Sequence, residues 1–256
     1  MISLKNKCKL LFCCSIIALG LLSGCDPGYQ MTKCPSYVVC YTNLKSVELS
    51  AESSNSRCIV VNSGCDFSKS CGLHSSGDKK DRYNQLCQKH NDLSYNQYRL
   101  IGGTLDEESV TYLDSDFSEI TVTADKDFDA THPAGANLSD LVRFMSWSPY
   151  KYILSGYSKY YHYDKSDVSE AFDTLMRIYI NKEYFDNATE ATCYPIDKLI
   201  KDLTSDDLIL LGQDFPLFLG LLYFDKTPDI KGEYNIAVTI KTDNGKVFSE
   251  TVKLTF

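Results

Sequence analysis

The last quarter of the chain constrains the fold most. Tyr234, Ile236, Val238 and Ile240 recur at every second position. Phe248, Val252, Leu254 and Phe256 share the same parity after Asp243-Asn244-Gly245, with Glu250 the one break. Alternation at period two puts each set on one face of a strand, and Asn-Gly between two such runs is a strong short-range hairpin signal. Glu119–Ala124 alternates in the same way, Ile120 and Val122 opposing Thr121 and Thr123. Further β-like runs stand at Tyr37–Tyr41 and Cys58–Val61. Short strands separated by turns predict a mainly β chain, an immunoglobulin-like β-sandwich with a few short helices. Asn137 is placed to cap a short helix through Leu138, Leu141, Val142 and Met145. Val168, Phe172, Leu175, Met176 and Tyr179 also fall at helical spacing, although Arg177–Ile180 reads equally as a strand.

The other end of the chain is a targeting signal. Lys5, Lys7 and Lys9 precede an apolar run from Leu10 to Leu22, with no acidic residue before Asp26. That run is shorter than the ~20 apolar residues that cross a bilayer. It closes on Leu22-Ser23-Gly24-Cys25, which resembles the lipobox of bacterial lipoproteins. The resemblance implies cleavage after residue 24 and a lipid on Cys25, which tethers the protein to a membrane and leaves its body in water. The expected organisation is a signal over 1–24, a lipidated tether over 25–33 and a single β-sandwich domain over 34–256, of which 34–100 is cysteine-rich. The stretch Leu208–Phe224 is the most apolar after the signal, but Gln213, Asp214 and Pro216 interrupt it, so it reads as buried strands. The whole chain carries a net charge of −8. Loss of the three signal lysines makes the remainder more acidic, which argues against nucleic acid as a partner.

Three of the eleven cysteines leave with the signal and Cys25 takes the lipid. Cys34, Cys40, Cys58, Cys65, Cys71 and Cys87 crowd into the N-terminal part, and Cys193 stands apart. In an exported protein such density reads as a set of disulfides stapling a loop-rich segment. The alternative is zinc, because Cys71-Gly-Leu-His74 and Cys87-Gln-Lys-His90 are two Cys-x-x-His pairs that offer four tetrahedral ligands. Cys193 reads as a buried small apolar residue or a partner to one of the six.

Two other patterns are candidate binding sites. Asp125, Asp127 and Asp129 alternate as calcium-loop ligands do, which makes calcium the one candidate cofactor. Ala130 and Ala136 occupy the positions where an EF-hand needs glycine and glutamate, so the competing reading is an open acidic turn. Trp147, Tyr150, Tyr152, Tyr157, Tyr160, Tyr161 and Tyr163 form an aromatic run. Side by side on the surface they would suit a glycan or a protein ligand; inside they would pack the core. Gly-x-Ser-x-Gly, His-Glu-x-x-His and phosphate-cradling glycine loops are absent from the sequence, and no catalytic residue is assigned. Acidic clusters such as Asp106-Glu107-Glu108 and Asp206-Asp207 read as solvated faces.

The stretch Thr121–Leu141, with its His132-Pro-Ala-Gly135 turn before Leu138-Ser-Asp-Leu141, resembles a group of uncharacterised lipoproteins from Bacteroidetes of about this length, classed as a domain of unknown function. The likeness covers the latter half of the chain and also draws on the lipobox and the terminal hairpin. It implies a cell-envelope address and an all-β fold, and it lends no activity. Asp26 after the lipidated cysteine marks inner-membrane retention in some bacteria. That rule does not transfer to envelopes of this type, which places the outer membrane ahead of the inner. The expected function is a non-enzymatic binding or accessory lipoprotein that contacts a glycan or an envelope protein through residues 147–163. A lipid-anchored hydrolase of polysaccharide or protein and a purely structural envelope protein are the alternatives.

Overall fold

A computed structural model describes residues 30–101, 110–179, 191–212 and 218–256. The signal, Cys25, the Asp106–Glu108 cluster, and Gln213, Asp214 and Pro216 lie outside those residues. The chain is mainly β, with 44% strand and 18% helix in three sheets and three helices, an arrangement consistent with a β-sandwich.

Among the described residues eleven strands run in chain order: β1 Gln30–Cys34, β2 Cys40–Ala51, β3 Cys58–Gly72, β4 Gln97–Ile101, β5 Thr111–Leu113, β6 Phe117–Ala124, β7 Val142–Ser148, β8 Tyr194–Leu199, β9 Phe218–Phe224, β10 Glu233–Thr242 and β11 Val247–Thr255. The helices are α1 Asp78–Lys89, α2 Tyr150–Leu154 and α3 Glu170–Tyr179. The large sheet has the order β5-β2-β3-β9-β7-β8, the small one β11-β10-β6, and β1 pairs β4 in a separate ribbon.

The expected hairpin forms. β10 and β11 pair from Glu233↔Thr255 to Lys241↔Val247. The Gly245 N–H donates to the Thr242 carbonyl at 3.0 Å, and Gly245 takes φ +83. A positive φ at that position costs glycine least, and this is the turn that closes a three-residue hairpin. Tyr234, Ile236, Val238 and Ile240 point inward as their spacing demands. They meet Leu44, Ile59, Val61, Phe144, Leu222 and Phe224 of the large sheet in one core.

The large sheet is buried on both faces. Ile59, Val61, Phe144, Leu222 and Phe224 face the small sheet. Their neighbours Cys58, Val60, Met145, Trp147, Leu221 and Tyr223 face Phe172, Leu175 and Met176 of α3. Double burial erases the polar half of the alternation, so such strands read as continuous apolar runs. This explains a corrected expectation: Val142 and Met145 lie in strand β7, not in a helix begun at Asn137. Asn137 Oδ1 caps only a turn, accepting the Ser139 N–H at 3.0 Å. The segment open to either reading, helix or strand, is helix α3 through Tyr179, which buries Phe172, Leu175 and Met176.

Of the expected tether, residues 30–33 belong to strand β1, Gln30–Cys34, and the rest lies outside the described residues. Among the described residues no helix is long and apolar enough to cross a membrane.

Candidate ligand-binding site

The aromatic run does not form an exposed shelf. Trp147 is 1% exposed and packs against Phe172 at a ring separation of 5.5 Å. It belongs with Tyr161 and Tyr163 to the layer beneath α3. Tyr150, Tyr152, Tyr157 and Tyr160 join a different cluster, around Tyr37, Tyr41, Tyr83 and Tyr112. The split follows from the local chain path: β7 ends at Ser148, α2 makes a turn and a half, and Gly156 and Tyr157 take left-handed φ values of +67 and +60. That reversal sends successive rings to two sides. Tyr152 and Tyr157 are buried, the other four tyrosines half-buried, and none of the seven rings is exposed.

The three alternating aspartates also separate. Asp125 accepts from the Asn235 N–H at 2.9 Å and from its amide at 2.6 Å. Asp127 accepts from Ala134 N–H at 2.8 Å. Asp129 accepts from the Thr131 and His132 N–H groups and is ion-paired with Lys226. These carboxylates fasten a turn, each through a different hydrogen-bond partner. Lys226 and Thr131 hold the Asp129 carboxyl far below its usual range. His132 bonds Asp129 at 2.7 Å and Asp140 at 3.0 Å, and these two acids raise its pKa.

The zinc quartet is likewise unassembled. His74 is exposed, whereas His90 is buried with both ring nitrogens engaged: Nδ1 lies 3.0 Å from the Tyr41 hydroxyl and Nε2 2.9 Å from Asp116. Among the described residues no group of three or more His, Cys, Asp or Glu is arranged to hold a metal.

Among the described residues no disulfide is present. Cys34, Cys40, Cys58, Cys65, Cys71 and Cys87 stand as thiols. The strands part three of them, since Cys34 packs with Val39, Cys58 lies under α3 and Cys65 borders the sandwich core, whereas Cys71 and Cys87 sit together by α1 and Cys40 neighbours Cys71. Burial pushes the Cys40 thiol up to about 11 and the Cys58 thiol up to about 12. Cys193 is buried, its sulfur 3.5 Å from the Tyr112 hydroxyl.

What no local pattern announced is a buried charged network at the end of α1. The helix closes with Asn91 at φ +56, the Asn91 N–H on the Gln88 carbonyl and the Asp92 N–H on that of Cys87. This is a Schellman closure, which turns the chain sharply and carries Lys89, His90 and Asp92 toward the body. Asp92 accepts from the Tyr37 and Val38 N–H groups and the Tyr157 hydroxyl, at 2.6, 2.8 and 2.8 Å. Lys89 reaches Asp116 and Asp243, each at 2.5 Å. Asp116 also accepts the N–H of Leu210, a residue at φ +51, at 3.1 Å. Burial alone would raise the Asp116 carboxyl, but His90 and Lys89 hold it below its usual value. In the same turn Asp114 Oδ1 and Ser115 Oγ are buried without a hydrogen-bond partner among the described residues. Such orphans cost about 1–3 kcal/mol each, which the surrounding ion pairs must offset.

Beyond this network lies a shallow depression open to solvent, lined by Ser148, Tyr150, Lys151, Tyr194, Ile196, Asp206 and their neighbours. Ser148 Oγ donates to the Ile209 carbonyl at 2.6 Å and accepts the Tyr150 N–H at 3.1 Å, which fixes the start of α2 over the 205–210 segment. Tyr194, on edge strand β8, is held by its hydroxyl donating to the Lys159 carbonyl at 2.7 Å. The Lys151 ammonium lies over the Tyr194 ring at 5.7 Å. Burial, then Asp206 and Asp116, raise the Tyr150 phenol. Asp207 is spent internally: it accepts from Lys198 at 2.8 Å and caps its own turn through Thr204. Of these lining residues, only Tyr150 stood among the sequence candidates. Asp206 read as part of a solvated face, and nothing local marks Lys151 or Tyr194.

No protein-family model, curated protein or solved structure matches the chain.

Proposed function

We propose that this chain is a lipid-anchored protein of the cell envelope that binds a small polar ligand, one sugar ring of a glycan, and does not transform it. The observation that carries the reading is the pair of half-buried phenols, Tyr150 and Tyr194, flanking a depression that also offers Lys151 and Asp206. Aromatic faces beside a few polar groups suit a pyranose, whose C–H face stacks while its hydroxyls hydrogen-bond. The depression is shallow and open to solvent, so it would meet one face of a terminal or side-chain sugar rather than enclose a larger ligand. The anchor rests on Lys5, Lys7, Lys9, the short apolar run and Leu22-Ser-Gly-Cys25. Likeness to Bacteroidetes lipoproteins supports the same address, with the outer membrane preferred. We read the two facing sheets as immunoglobulin-like, supported by their antiparallel pairs and shared core, with the helical layer added on the far face.

A hydrolytic role is less well supported. His90 and His132 each spend both ring nitrogens, on Tyr41 and Asp116 and on Asp129 and Asp140. Neither ring is left to activate a serine or cysteine.

The test is calorimetric titration of the full chain with a panel of mono- and oligosaccharides, repeated on Tyr150→Ala and Tyr194→Ala. Binding weakened at least tenfold by either change supports the site. Binding unaltered by both, or turnover of the glycan, sinks it.

A further inference from the structure

The ribbon of β1 and β4 has two unlike faces. Its inner face is seated: Cys34 is fully buried, and Arg99 lies over the rings of Tyr37 and Tyr95 at 4.5 and 4.7 Å. Arg99 also donates to the Tyr37 carbonyl at 3.1 Å. The register pairs Thr32 with Arg99 and Lys33 with Tyr98. Residues directly opposite share a face and successive residues alternate, so Met31, Lys33 and Tyr98 lie together on the outer side. There Met31 is 63% exposed and Tyr98 65%, with Lys33 exposed between them. A two-stranded ribbon is marginal in water on its own, and an outward Met and Tyr contribute nothing to it there.

We infer that this outer face rests on the phospholipid surface to which the chain is tethered, and so sets the orientation of the body on the membrane. The inference rests on the lipoprotein reading, because its reach argument starts at Cys25. Cys25 precedes Gln30 by five positions. At ~3.3–3.6 Å per residue, that span cannot exceed about 18 Å even fully extended. The polar region of one leaflet is itself about 5–8 Å thick. A ribbon on so short a tether stays within about 10–13 Å of the headgroup surface, close enough to rest on it. The residue types fit that layer. A tyrosine ring sits at the interface with its hydroxyl in water, a methionine fills irregular acyl space, and a lysine stem lies along apolar surface while its ammonium reaches phosphate. Two side chains bind a bilayer weakly, but tethering makes the contact intramolecular, and a weak contact then suffices to choose an orientation.

The experiment uses the full-length lipidated chain in phosphatidylethanolamine–phosphatidylglycerol vesicles, with part of the lipid brominated on its acyl chains near the headgroup. The reporter is Tyr98→Trp and the control Ile230→Trp, at a site 75% exposed in the loop before β10. Wild type supplies the background of Trp147. Acylation is read separately, by mass and by flotation with the vesicles. Strong loss of the Tyr98→Trp emission with brominated lipid, and little for Ile230→Trp, is the expected result. An acylated, floating Tyr98→Trp chain without quenching overturns the membrane face alone, whether a second copy, another protein or water then covers the ribbon. A chain without the acyl mass overturns the anchor and this inference with it. Met31→Ser should lower quenching of the Tyr98→Trp chain and leave flotation unchanged.

Discussion

The Asp116 carboxylate lies 2.9 Å from Nε2 of His90, and both side chains are buried. The same carboxylate carries Lys89 and the Leu210 N–H, so α1, the turn after β5 and the 209–212 segment meet on one group.

Removing that group strands two buried donors. Asp116→Ala is expected to cost about 3–5 kcal/mol, the usual penalty for breaking a buried ion pair from one side. Denaturant unfolding reads it directly. Adding His90→Phe should return part of the loss, because the stranded imidazole donor goes with it, whereas Lys89 keeps Asp243. Independent, additive losses from the two changes would show that the pair is not coupled.

His132 makes stability depend on pH. Its folded pKa is raised by Asp129 first and Asp140 second, so its contribution is fully present below about 6.5. That contribution is lost as pH rises through the raised folded value. Wild type should therefore lose about 0.5–1 kcal/mol more than His132→Gln on going from pH 6 to pH 9, or roughly 1–4 °C in Tm. Parallel melting curves for the two proteins across that range would contradict this assignment.

Trp147 is the sole tryptophan, and it is enclosed by Phe172 and its neighbours. Its emission should lie to the blue, resist iodide in the native state and shift red on unfolding. A red, iodide-quenched native spectrum would restore the exposed aromatic shelf.

The thiols of Cys40 and Cys58, raised by burial to about 11 and about 12, are protonated and enclosed at pH 8. Alkylation followed by peptide mass analysis should find both unmodified in native protein and both modified in denaturant without reductant. Modification only after reduction would mean that they are joined in disulfides.

Elements whose signal is local were legible in the chain. Asp243-Asn244-Gly245 can close only a few residues of strand on itself, and α3 shows its buried stripe at Phe172, Leu175 and Met176. The candidate site was legible only at Tyr150. Tyr194 reaches it from an edge strand and Asp206 from a separate turn, neither with a marking pattern of its own. Strand β7 was misread as a helix because burial on both faces removed the period of two. The aromatic run reads from sequence as either core or surface, and the division between two clusters at Gly156 and Tyr157, both at positive φ, has no local signal. His90, Asp116 and Tyr41 meet across separations of 26 and 49 residues. The sequence by itself determined the hairpin, the third helix and the pattern of an anchoring signal, since each depends on neighbours in the chain. Tertiary structure alone decided which rings, thiols and carboxylates are inside, because burial is set by what packs across the sheet.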